Sequence, residues 1–257
     1  DGDPVDEPHG ITVNELRRQV QMVFQDSYAS LNPRLTIAET LAFAPRAHGL
    51  PAAEARERVR DLLSKVGLDP ANYATRYPHE LSGGQRQRVN IARALALRPR
   101  LIILDEAVSA LDKSVEAQVL NMLVDLKTEL DLTYVFISHD LNVVQYLSDR
   151  VLVMYLGKIV ELGPVEAIYG NPQHPYTRAL LSARPSMDPR KRTHEAPIQG
   201  DPPNPIDPPS GCRFRTRCPF AEEVCARTEP LLADTGHQAV ACHMRVAGSG
   251  HSKARAA

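Results

Sequence analysis

The chain has 257 residues, 43% hydrophobic and 24% charged, a composition that suits one sizeable core with an appendage or two modest domains. With 30 Lys and Arg against 31 Asp and Glu, the formal net charge of −1 gives no electrostatic reason to expect nucleic acid or an anionic membrane as a partner. No apolar run approaches the roughly 20 residues of a membrane span, and the opening DGDPVDEPHG lacks the basic and apolar regions of a signal peptide, so the cytosol is the expected compartment.

In chain order, Val20, Met22 and Phe24 alternate as in a short strand ending at Gln25, and SYASLNPRLT reads as a loop. Val59, Leu62, Leu63 and Val66 fall at i, i+3, i+4 and i+7 of an amphipathic helix that Gly67 stops. A second helix follows Ser82, and LIILDE reads as a strand of the buried, parallel kind. The next helix, KSVEAQVLNMLVDLKTEL, carries Val115, Val119, Met122 and Leu126 on one side. It leads to the strand TYVFISH and to two short strands about a turn at Leu156 and Gly157. Strands alternating with helices predict an α/β core over residues 1–163, with a helical subdomain over about 40–98. A different region, 164–211, ends in a Pro-rich linker from about Pro185 to Gly211; a four-cysteine module spans 212–246, and residues 247–257 are expected to be disordered.

Three predicted strands end in polar groups suited to phosphate chemistry. Asp105 and Glu106 stand where an α/β sheet places ligands, at the carboxyl end of a buried strand. Asp105 can orient Mg²⁺ and Glu106 can accept a hydrogen bond from an attacking water, because phosphoryl transfer needs positioning and charge compensation. His139 can offer a ring N–H to a γ-phosphate while backbone holds its other nitrogen, and the Gln25 amide can contact Mg²⁺ or the water. Each has a plainer alternative: a carboxylate pair capping a turn, a surface histidine, a solvated loop glutamine. In LSGGQ, Ser82 reads as an N-cap, with Gly83 and Gly84 clearing the way for backbone N–H groups to face an anion. The alternative is an ordinary Ser-capped helix. Arg86, Arg88 and Arg93 follow on that helix and read as solvated or paired side chains.

Cys212, Cys218, Cys225 and Cys242 occur in a chain whose other features are cytosolic, which argues against structural disulfides. Four thiolates suit Zn²⁺ or an iron–sulfur cluster, although no CxxC knuckle is present; four reduced cysteines in a small packed tail are the alternative.

The motifs together resemble an ATP-binding subunit of an ABC transporter: FQD around Gln25 the Q-loop, LSGGQ the signature, LIILDE the Walker B strand, SALD up to Asp112 the D-loop, and SHD around His139 the H-loop. SYASLNPRLT, MYLGKIVE, IYGNPQHPYTRALLSARP and the cysteine tail resemble the dipeptide and oligopeptide importer class. The resemblance implies a P-loop NTPase-type nucleotide-binding domain with ATP and Mg²⁺ as cofactors. Glu106 and His139 would be catalytic, and Asp105 and Gln25 would serve the metal. Ser82, Gly83, Gly84 and Gln85 would face ATP held by a second, identical or paralogous subunit, and Asp112 would communicate across that interface. It further implies membrane permease subunits as partners, an extracytoplasmic substrate-binding protein acting indirectly, a peripheral place on the cytoplasmic face of the cell membrane, and a [4Fe–4S] cluster on the cysteines. Ala107 departs from the proline common after the catalytic glutamate, which loosens that turn. No GxxxxGK[ST] occurs in the 257 residues. The expectation is therefore a domain whose Walker A part was lost upstream of Asp1, and a chain that binds ATP poorly by itself. A degenerate, non-hydrolytic partner lending its signature to an intact ATPase is the alternative; a soluble ABC ATPase of DNA repair or translation fits the neutral charge and peptide-importer tail less well.

Overall fold

In the computed structural model, residues 4–7, 9–184, 198 and 200–254 are described, and the chain divides into two units, residues 1–143 and 144–257. The first unit starts with α1 (Val13–Gln19), which sequence periodicity did not reveal but which Thr12 and Glu15 cap reciprocally. Strand β1 (Val20–Val23) follows directly, ending two residues earlier than expected.

Four helices lie between β1 and the next strand. In α2 (Ile37–Ala47), Thr36 and Glu39 form a second capping box, with the Glu39 carboxylate accepting from Thr36 N at 2.8 Å. Helix α3 (Ala52–Lys65) buries Ala55, Val59, Leu62 and Leu63, and Gly67 terminates it at φ +70°. A Cβ at Gly67 would lie 2.7 Å from the Arg88 guanidinium, which donates to the carbonyl of Val66 and so covers the helix end. The short α4 (Pro70–Tyr73) is capped by Asp69, and α5 (Gly83–Leu95) starts at Ser82 as the sequence predicts.

Strand β2 (Leu101–Asp105), helix α6 (Lys113–Glu129) and strand β3 (Thr133–Ile137) complete the sheet, whose order is β1-β2-β3 with both pairings parallel. Helix α6 turns Glu116, Val119, Leu120, Leu123 and Leu126 inward, while Val115 and Met122 are only half-buried. The inward face is thus rotated from the one expected, because Leu120 and Leu123 compete for the core with residues of the same polarity. Val23, Ile37, Leu41, Leu63, Val89, Ile91, Leu104 and Leu123 form the interior of this unit. Helix α7 (Leu141–Leu147) runs past the division between the units.

The second unit is built on the hairpin of β4 (Arg150–Tyr155) and β5 (Lys158–Pro164), joined at the predicted turn, where Leu156 and Gly157 take φ of +46° and +75°. Two short helices follow, α8 (Val165–Gly170) and α9 (Pro175–Ser182), then α10 (Glu223–Arg227) and the two-residue strands β6 (Ala233–Asp234) and β7 (Ala239–Val240). These extend the antiparallel sheet to the order β4-β5-β7-β6. Its core joins Val151, Val153, Tyr155, Val160 and Ile168 to Phe214, with the Tyr155 and Phe214 rings edge to face at 5.3 Å. Fully buried Glu161 accepts from the backbone N–H of Gln173 (2.6 Å) and His174 (3.0 Å) and from the Gln238 amide (3.1 Å), which ties β5 to the segment before α9 and to the β6–β7 turn. Most of the expected Pro-rich linker, residues 185–197 and 199, lies outside the described residues. The tail differs from the expectation of disorder as far as Ala254: His251 is buried and faces the Phe220 carbonyl at 2.9 Å, and Ser252 N donates to Glu222 at 2.8 Å. Among the described residues, no helix is long and apolar enough to cross a membrane.

Candidate functional site

Parallel pairing puts the carboxyl ends of β1, β2 and β3 on one edge, so Gln25, Glu106 and His139, each within two residues of a strand end, are brought together. Gln25 Nε2 donates to Glu106 Oε2 at 2.8 Å, and His139 Nδ1 lies 3.2 Å from Glu106 Oε1. With an ionised carboxylate, Nδ1 is the donor. The ring N–H that His139 would offer a phosphate is therefore given to Glu106 here, and Nδ1 is held by Glu106 rather than by backbone as expected. Glu106 has a left-handed backbone, φ +45°, fixed by its N–H to the Ile137 carbonyl at 2.9 Å and by Ser109, whose N–H and hydroxyl both donate to the Glu106 carbonyl at 3.1 and 3.0 Å. Asp105 is the last residue of β2, opposite Ile137 in register.

The loop behind His139 is braced by groups that the sequence reading missed. Lys113 Nζ lies 3.0 Å from Asp140 Oδ2 and 3.0 Å from Glu116 Oε1, tying the start of α6 to the residue after His139. Burial by itself would raise the pKa of Asp140, but Lys113 and the backbone N–H groups of Asn142 and Val143 outweigh it and hold the carboxyl below its ordinary range. Asp112 precedes this helix as its N-cap residue, exposed and making no capping bond with its side chain.

At the signature turn, Ser82 Oγ accepts from Gln85 N at 3.3 Å while Gln85 Oε1 accepts from Ser82 N at 2.9 Å, a closed capping box. The Gln85 amide spends its other end on Tyr73 Oη at 3.0 Å. The glycines differ: a Cβ at Gly83 would meet nothing within 4 Å, whereas one at Gly84 would lie 2.3 Å from Val115 Cγ1 on α6. Gly83 therefore faces open space and Gly84 permits close helix packing. The following arginines are paired, Arg86 over the Tyr28 ring at 5.3 Å, Arg88 on Val66 and Gln118, and Arg93 on the Ser30 carbonyl.

In the second unit, Cys212, Cys218, Cys225 and Cys242 line one largely apolar cavity with Phe214, Met244 and His174. Burial, with a smaller push from the neighbouring sulfurs, raises the thiols of Cys212 and Cys242 to about 11, and burial also raises Cys218. All four are free thiols. Yet among the described residues no three His, Cys, Asp or Glu side chains are placed to hold a metal ion. With no such grouping among the described residues, the expected [4Fe–4S] cluster or Zn²⁺ finds no support in the placement of the four cysteines. His174 is neutral here, burial lowering it to about 4, with Nδ1 accepting from Tyr176 N at 3.1 Å.

A parallel α/β sheet carrying Gln25, Glu106 and His139 on its carboxyl edge, together with a capped Gly-rich helix start elsewhere in the same unit, defines an ABC-type nucleotide-binding domain. The ABC transporter family matches residues 1–109, and the family described as "Oligopeptide/dipeptide transporter, C-terminal region" matches residues 160–225. The chain is 53% identical to the probable peptide ABC transporter ATP-binding protein y4tS of Sinorhizobium fredii, over 92% of this chain and 68% of that protein. It is 54% identical to the oligopeptide transport ATP-binding protein OppF of Escherichia coli, over 88% of this chain and 69% of the relative. The solved structure of cbiO1 from Clostridium perfringens, part of the ABC transporter complex cbiONQ, matches with a TM-score of 0.57 and 30% identity, covering 62% of each chain. The chain belongs to the ATP-binding proteins of ABC transporters, in the oligopeptide/dipeptide transporter family.

Proposed function

We propose that this protein is the ATP-hydrolysing subunit of an ABC importer for di- or oligopeptides, acting with a second ATPase subunit and membrane permease subunits at the cytoplasmic face of the cell membrane. The observation that carries the reading is the joining of Gln25, Glu106 and His139 by hydrogen bonds across three strand ends, in a chain more than half identical to peptide-transport ATP-binding proteins.

Because the Gln25 amide nitrogen is engaged by Glu106, its oxygen is the end left to serve Mg²⁺, and the Asp105 carboxylate at the end of β2 would be the other protein group to hold it. When bound, Mg²⁺ compensates phosphate charge and polarises the phosphoryl oxygens. Glu106 receives two hydrogen bonds from the protein in this arrangement and must turn one oxygen to the hydrolytic water to position it. As it turns, His139 is released to direct a ring N–H at the γ-phosphate. Ser82 and the Gly83 side of α5 serve ATP held by the other subunit, where the helix dipole favours an anion. The phosphate-cradling GxxxxGK[ST] needed beside Asp105 is absent from the 257 residues.

The assembled transporter, purified with its permease subunits, tests this reading. ATP turnover should rise when substrate-binding protein loaded with an oligopeptide is added. Stimulation by nickel-loaded binding protein instead would move the substrate from peptides to metal ions, and co-purification with ribosomes or DNA in place of permeases would overturn the assignment.

A further inference from the structure

We infer that Tyr73 is a positioning residue for the signature turn, acting through Gln85 to hold Ser82 and Gly83 toward the ATP of the second subunit; this rests on the reading that LSGGQ serves that nucleotide. Both ends of the Gln85 amide are engaged. Its oxygen accepts from Ser82 N at 2.9 Å, and its NH₂ donates to Tyr73 Oη at 3.0 Å in a partly buried setting. Gln85 is thus turned into the protein, and it acts on the turn rather than on a ligand.

Tyr73 is itself fixed. The Arg76 guanidinium sits 4.8 Å from its ring centroid. The backbone around it is tied to the start of α2, with Ile37 N donating to the Arg76 carbonyl and Ala38 N to the Ala74 carbonyl, each at 2.9 Å. The chain of contacts therefore runs from α2 through the Tyr73 hydroxyl and the Gln85 amide to the Ser82 backbone. Removing the hydroxyl leaves the Gln85 NH₂ without its acceptor, and a freed amide can swing out of the capping box. Ser82 N and Oγ then lose the geometry that aims the turn, while Gly84 stays packed on Val115 and the helix remains folded.

The test uses the assembled transporter with this chain carrying Tyr73→Phe, Gln85→Met, both, or Ser82→Arg. Tyr73→Phe keeps the ring under Arg76. It should raise KM for ATP about fivefold, the factor one lost net hydrogen bond carries, with kcat changed less than twofold and Tm lowered by no more than a few degrees. In the Gln85→Met background, Tyr73→Phe should add nothing, because the hydroxyl acts through that amide. A wild-type KM in Tyr73→Phe while Ser82→Arg impairs turnover would overturn the role of Tyr73 and leave the signature reading intact. Wild-type turnover in Ser82→Arg would overturn that reading and the inference with it. Additive effects of Tyr73→Phe and Gln85→Met, or a larger fall in Tm with kcat falling in parallel, would show a general packing role and overturn the inference.

Discussion

Glu106 occupies backbone space that an L-residue with a Cβ enters at a cost of about 1 kcal/mol or more, at φ +45°. The bonds from Ser109 and to Ile137 sustain it, and Ala107, next in the chain, is buried. Such strain aims the carboxylate along the strand-end edge instead of into solvent. Glu106→Gln preserves size but has a single amide oxygen to accept from Gln25 or His139, and it removes the anionic acceptor for the water. In the assembled transporter it should leave ATP binding within twofold of wild type while turnover falls by about 100-fold or more, the range of a lost general base. Wild-type turnover, measured as phosphate release, would remove Glu106 from the chemistry.

His174 supplies a second prediction, on stability. Its folded-state pKa is lowered from 6.5 to about 4 by burial, so the unfolded chain binds the extra proton between those values. Stability from this group is complete above pH 6.5 and is lost as pH falls toward 4, a change of up to ~3 kcal/mol. Glu161, raised by burial despite the backbone N–H groups of Gln173 and His174 that donate to it, acts with the opposite sign, losing stability as pH rises above the ordinary carboxylate value. Replacing His174 with Asn keeps an N-cap for α9 and removes only the imidazole. Denaturant unfolding of His174→Asn should show a flatter pH dependence between 4 and 6.5 than wild type; parallel profiles would contradict the assignment.

At the level of elements, the two glycines of α5 separate packing from function. Gly84→Ala drives a methyl to 2.3 Å from Val115 and should destabilise the first unit by about 1–3 kcal/mol, the usual cost of overpacking. Gly83→Ala meets no atom of the protein within 4 Å and should leave Tm unchanged while weakening ATP turnover in the assembled pair. Thermal unfolding beside an ATPase assay distinguishes them, and equal effects on stability would contradict the two orientations.

The same helix separates what is legible in the sequence from what is not. Ser82 as N-cap and the three strand-end residues follow from local pattern, because a cap, a glycine stop or an alternating strand is set by a few neighbouring residues. Ser82 and Gln85 also spell S-x-x-Q, the pattern of a capping box, and in such a box the glutamine turns back to the helix start rather than out to a ligand. Other features needed the fold. Tyr73 and Lys113 matter through residues 12 and 27 positions away, and neither separation leaves a periodic trace. The burial of Leu120 and Leu123 on α6 depends on which neighbour claims the helix. Whether four cysteines converge on a metal or merely share a cavity depends on side-chain directions that spacing does not encode.

At the scale of the whole molecule, the two units divide the work by chemistry. Residues 1–143 carry every polar group assigned to nucleotide, and residues 144–257 carry the antiparallel sheet, the Glu161 hub and the cysteine cavity. The family matches divide the same way, the ABC transporter family over 1–109 and the oligopeptide/dipeptide family over 160–225. The central claim, that Glu106 of this chain energises peptide import, is tested most directly by uptake of a labelled oligopeptide into proteoliposomes holding the assembled transporter, with ATP inside the equivalent of the cytoplasmic compartment. Wild-type protein should accumulate peptide in an ATP-dependent way and Glu106→Gln should reduce uptake to background. Uptake that is indifferent to Glu106, or absent for peptides and present for another solute, would contradict the account.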